Sequence, residues 1–147
     1  MKYSEARQGR VFILRLEDGE ILHEVIEQFA RDHSIRAAAL IAVGGLDRQS
    51  CLIAGPKDGR AQTIEPQQIT LEAVHEAAGT GTLFPDDDGE PVIHMHMAAG
   101  RGHRAVTGCI RSGVKVWHVL EVIIFELLND TAARRPDPVL GFKLLIP

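Results

Sequence analysis

Apolar and polar positions change period several times along the chain, and each change marks an element boundary. RVFILRLE (10–17) is rich in β-forming residues and predicts a strand. After Asp18-Gly19 the apolar residues Ile21, Leu22, Val25, Ile26 and Phe29 recur on one helical face, which predicts a helix over 20–33 with Asp18 as its N-cap. RAAALIAVGG (36–45) and SCLIAG (50–55) predict two further strands, and residues 56–68 a polar loop. ITLEAVHEAAGTGTLF (69–84) is one long extended segment in which Gly79 and Gly81 mark bulges or the close approach of another backbone. The turn PDDDGE leads into VIHMHMAA, and the corner Gly100-Arg101-Gly102 into RAVTGCI. In VKVWHVLEVIIFELL (114–128) the β-branched residues favour strand over buried helix. TAARRPDP reads as a linker, and GFKLLIP as a short closing strand. The order β-α-β-β followed by an antiparallel meander predicts an α+β fold: one principal helix on a mainly antiparallel sheet, in a single domain over 1–147.

Composition narrows the function classes. A chain of 147 residues with 45% hydrophobic and 24% charged residues can bury a core without staples. No apolar run approaches the roughly 20 residues that span a bilayer, so no membrane association is expected. MKYSEARQGR lacks the apolar core of a secretory signal, which points to the cytoplasm. Cys51 and Cys109 form no CxxC pair, which excludes a disulfide scaffold and a thiol redox motif. A net charge of −4, with no basic cluster beyond Arg134-Arg135, disfavours unaided binding to duplex DNA.

The candidate chemistry centres on VIHMHM (92–97). On a strand, His94 and His96 share a face about 7 Å apart, workable for two ligands of one metal ion and equally for polar residues facing water. A hairpin closed around Gly100-Arg101-Gly102 has a register that sets Cys109 opposite His94 and Thr107 opposite His96, about 4.5–5.5 Å away. Two imidazoles and a thiolate suit Zn²⁺ and leave a fourth position for water, substrate or another subunit; polar lining of a pocket or interface is the alternative. His75 and Glu76 are candidate pocket residues, His75 as a further ligand, pocket base or partly exposed strand residue. HEAAG lacks the second histidine of a zincin helix, which excludes a metalloprotease. His118 is a further candidate, expected to share a face with Val116, Leu120 and Val122. Glu121, inside so apolar a strand, calls for a cation such as Arg104, Arg111 or one from a neighbouring subunit. GTGT (79–82) lacks a dinucleotide fingerprint, and neither a P-loop nor a nucleophile elbow is present.

The ordered set GRVFILRLEDGEIL, IRAAALIAVGGL, LEAVHEAAGTGTLF, VIHMHMAAGRG and TGCIRSGVKVWHVLEVIIFEL resembles the plants-and-prokaryotes-conserved (PPC) domain over nearly the whole chain. The resemblance implies a homotrimeric α+β fold that mediates assembly and contacts with other proteins. Plant members join it to AT-hooks that insert into A·T-rich DNA. No Arg-Gly-Arg-Pro core occurs here, and where plant members carry Gly-Arg-Phe-Glu-Ile-Leu this chain has residues 69–74, retaining only Glu72. Some prokaryotic relatives carry a Gly-Gly-His stretch after the His-x-His strand and look like metal binders. Thr107-Gly108-Cys109 stands there in this chain, one possible ligand for another. The expectation is a homotrimeric, regulatory or binding protein of a family labelled DNA-binding, with protein partners and a zinc site on His94, His96 and Cys109. The competing class is a zinc-dependent enzyme acting on a small molecule, with His75 or Glu76 as acid or base.

Overall fold

The structure is a computed structural model and describes residues 1–61 and 64–147; Gln62 and Thr63, inside the expected polar loop, lie outside the described residues. Strands β1 (Arg7–Glu17), β2 (Ala38–Leu46), β3 (Cys51–Pro56), β4 (Pro66–Thr70), β5 (His75–Pro85), β6 (Pro91–Arg101), β7 (Arg104–Ile110) and β8 (Val116–Leu128) form one sheet in the order β1-β8-β2-β5-β6-β7-β3-β4. Every neighbouring pair is antiparallel. The expected meander is present in β5-β6-β7, and β8 then returns across the molecule to lie between β1 and β2. The helix α1 (Leu22–Asp32) and a small second sheet of β9 (Ala133–Pro136) and β10 (Lys143–Ile146) complete the fold.

Period and burial agree on where the core lies. Leu22, Ile26 and Ala30 of α1 are buried with Leu16, Leu40, Met95, Met97, Leu120 and Val122 in one cluster between helix and sheet. The Glu27 carboxylate accepts a hydrogen bond from the Ile93 amide at 3.0 Å, which ties the helix to β6. Asp18 does not cap this helix. Its carboxylate accepts from the His118 amide at 2.7 Å, while the Leu22 amide donates to the Val114 carbonyl at 3.0 Å. A neighbouring backbone thus takes a donor that a side-chain cap would have satisfied.

Two segments expected to be irregular are strands. Residues 66–70 pair with β3, so the single long strand expected over 69–84 is two strands broken at Leu71–Val74. The expected linker after residue 130 contains β9, which pairs with β10 and lies over the face of the sheet opposite α1, where Arg134 donates to the Thr82 hydroxyl at 3.0 Å. Pro136 and Pro138 gave the linker reading, but an edge strand tolerates proline at its end.

Candidate metal centre

Strand parity builds the site. In β6 the side chains of Ile93, Met95, Met97 and Ala99 enter the core, so His94 and His96 project from the opposite face. A two-residue turn of Gly102 and His103 joins β6 to β7, with Gly102 at φ +60° in the first turn position, where a type II′ turn requires glycine. The turn lies one residue beyond the expected corner, which moves the register by two: Cys109 faces His96 rather than His94, and Thr107 faces Ala98. A shift of two preserves the face, so Cys109 still stands on the side of both histidines.

The nitrogen and sulfur ligand atoms of His94, His96 and Cys109 all lie within 4.8 Å of one another. The two Nε2 atoms are 3.2 Å apart and the rings meet edge to face, an arrangement in which one ring must offer its lone pair to the other. Zinc bound by N and S donors at about 2.0–2.3 Å holds them about 3.3–3.8 Å apart, so side-chain adjustment of about 1 Å closes the group around one ion. Cys109 is 5% exposed. Burial raises its thiol above the ordinary range, partly offset by the positive fields of Arg111 and Arg134. Burial and the charges of Arg134, His96 and Arg111 push the His94 imidazolium down, which favours the neutral, ligating form. The donor set fits a divalent ion of intermediate softness, which would convert the buried thiol to thiolate and polarise whatever filled a fourth position.

His75 and Glu76 lie elsewhere. They pair with Leu46 and Gly100, whereas Thr80 is the β5 residue opposite His96, so Glu76 stands about 13 Å along the strand from that row. Together with Arg101 and Trp117 they line a separate cavity of about 230 Å³, and His75 Nδ1 is 2.8 Å from the Ala73 carbonyl. His118 is also apart from the triad and departs from its expected face. Gly44 pairs with Leu120 and Gly45 with Trp117, so β8 carries extra residues between them, and His118 adopts φ +57° and turns outward against Trp117. A bulge of this kind breaks the alternation from which its face was inferred. Glu121 needs no buried cation because it faces solvent; the buried acid of β8 is Glu126, paired with Arg10 at 2.6 Å.

Sequence reasoning missed Arg134, which is 7% exposed and stands over the triad's side of the sheet. Its only signal was an Arg-Arg pair inside an apparent linker, where solvated charge is the default.

Comparison with known proteins assigns the family. The sequence model of the Plants and Prokaryotes Conserved (PCC) domain matches residues 3–128. The chain belongs to the PCC family. A metal-containing protein from Archaeoglobus fulgidus has the same fold, with a TM-score of 0.85, 26% identity and complete coverage of both chains. A plant- and prokaryote-conserved protein from Pyrococcus horikoshii superposes with a TM-score of 0.84 at 24% identity, covering 100% of this chain and 98% of that one. A Ralstonia eutropha protein named as a candidate DNA binder reaches 0.70 at 22% identity, with 92% and 90% covered. Among curated relatives, the bifunctional protein GlmU of Synechococcus sp. (strain JA-3-3Ab) is 28% identical over 135 residues, which span 90% of this chain but only 20% of that protein. The PCC chain therefore spans about a fifth of that relative's length.

Proposed function

We propose that this PCC protein is a cytoplasmic homotrimer of single-domain chains, each holding one zinc ion on His94, His96 and Cys109, and that its surface serves regulatory binding rather than turnover. The observation that carries the metal reading is the convergence of the three donor atoms within 4.8 Å. The metal-containing relative from A. fulgidus, of the same fold, supports it. Both cysteines are free, in keeping with a reducing compartment, and among the described residues no helix is long and apolar enough to cross a membrane.

Self-association is supported by the sheet face that α1 leaves bare. Ile13 is 82% exposed, and Val11, Ile41 and Val43 beside it are also exposed. Paired positions run in one row from Ile13 through Ile123, Ile41 and Thr80 to His96 and Cys109, so this apolar face is continuous with the metal site. Patches of this kind mark association surfaces. Three is the number that the resemblance to the PPC domain implies.

The name of the R. eutropha protein raises DNA as a partner, but a net charge of −4 gives this chain little attraction for a phosphate backbone. The enzyme reading loses its expected acid and base, because Glu76 stands about 13 Å along β5 from the row of the triad and His75 one residue further.

Cobalt substitution tests the site. Co²⁺ added to metal-free protein is expected to give a thiolate-to-metal charge-transfer absorption that Cys109→Ser abolishes while the histidines retain weaker binding. An identical spectrum from both proteins would remove Cys109 from the ligand set.

A further inference from the structure

Beside the triad lies a cavity of about 410 Å³ lined by His94, Arg111 and Arg134 together with Val92, Phe142 and Leu144. Its charges do not balance. Arg134 is 7% exposed, its Nη2 donates to the neutral Thr82 hydroxyl, and among the described residues its buried Nε has no hydrogen-bond partner. No carboxylate of the described residues lies within ion-pair distance of Arg134 or Arg111. The nearby acids are committed elsewhere: Asp86 and Asp87 hold Lys143 at 3.1 and 3.5 Å, and Asp87 also holds Arg135 at 2.9 Å. A buried guanidinium without a counter-charge is costly, and a second one beside it makes the deficit of negative charge larger. A divalent ion on two neutral imidazoles and one thiolate would leave a further net positive charge at the same wall.

We propose that this cavity binds a small organic anion, its carboxylate or phosphate head on Arg134 and Arg111 and its apolar body against Val92, Phe142 and Leu144. Arginine suits such a head because its planar fork can meet two oxygens at once. Arg111 and Phe142 also line a second, largely apolar cavity of about 670 Å³ with Ile53, Pro66 and Leu140, which offers room for the body of the ligand. The proposal rests on the metal reading for placing the anion beside a metal ion, whereas the lack of a carboxylate partner for Arg111 and Arg134 among the described residues stands apart from that reading.

Isothermal titration of the full chain, metal-free and zinc-loaded, with hexanoate, hexanol and inorganic phosphate tests this. Hexanoate is expected to bind both forms, hexanol and phosphate at least tenfold more weakly, and Arg111→Gln and Arg134→Gln each to weaken hexanoate by about 10–100-fold. Arg111 is exposed, so its variant keeps the test valid if Arg134→Gln fails to fold. Zinc binding without hexanoate binding would leave the metal site standing and overturn the anion site. Hexanoate bound to metal-free protein that takes up no zinc would do the reverse. Binding unchanged in Arg111→Gln, or phosphate as tight as hexanoate, would also overturn the proposal.

Discussion

Gly79 shows how closely the residues around His96 constrain one another. A Cβ there would lie 2.5 Å from the His96 carbonyl oxygen and 2.6 Å from Met97 Cγ, so β5 and β6 approach at a distance only glycine allows. Gly79→Ala is expected to destabilise the protein by about 1–3 kcal/mol in thermal or urea denaturation, as overpacking does, because one of the clashing groups is backbone. Gly59→Ala, with nothing within 4 Å of its added Cβ, serves as the control and is expected to cost far less. The close approach at Gly79 and Gly81 was legible in the sequence, since glycine weakens a strand interior and persists there where a bulge or a neighbouring backbone demands it. Given a two-residue turn, without which a one-residue slip would turn Cys109 inward, the shared face of His94, His96 and Cys109 was equally legible. Which histidine faces Cys109 was not, because moving Gly102 by one turn position moves the register by two residues.

At the scale of elements, the end of the sheet near the helix C-terminus is held by an ion pair between the buried Glu126 and the half-exposed Arg10. Glu126, 5% exposed, accepts from Arg10 Nε at 2.7 Å, from Arg10 Nη2 and from the Arg10 amide at 3.0 Å, while Nη2 also reaches the His33 carbonyl at 3.0 Å. Arg10 further lies 5.0 Å over Phe12, which meets Phe29 of α1 edge to face. The hydrogen bonds from Arg10 hold the Glu126 carboxyl below the usual carboxylate range. A lowered folded value means that the stabilisation is complete above the unfolded value of about 4.3 and is lost as pH falls through the folded one. Glu126→Gln is therefore expected to lower the Tm by on the order of 5 °C at pH 7, and wild type and variant are expected to converge only once the pH has fallen below the lowered value of the folded Glu126 carboxyl. A Tm difference independent of pH would show that the carboxylate charge contributes nothing. The sequence directed attention to Glu121 instead, although the two acids stand five residues apart on one strand and parity therefore puts them on opposite faces, Glu126 with the buried Val122 and Ile124; the bulge of β8 lies before both and does not choose between them. The same bulge took His118 off its expected face. The helix was readable from its period, but its start was not, since the Val114 carbonyl that replaces a cap comes from a distant part of the chain.

For the whole molecule, an apolar sheet face runs into a polar cluster at its border. Ile13→Glu with Ile41→Glu places charge in the middle of that face without touching the core, and light scattering is expected to show the mass falling from three chains to one. A wild-type protein that is already monomeric would rule the assembly out. A bare face was legible in the sequence, because a single helix expected over 20–33 can only partly cover a sheet with strands as long as 114–128. Arg134 was not, since its burial requires the β9–β10 pair to fold over β5 and β6. Everything proposed for His94, His96 and Cys109 turns on whether the protein holds a metal, and metal content per chain decides that, by mass spectrometry on tag-free protein beside a His94→Ala/His96→Ala variant. Close to one zinc per wild-type chain is expected, and essentially none in the variant. Wild-type protein that stays metal-free after incubation with zinc and desalting would contradict the metal site.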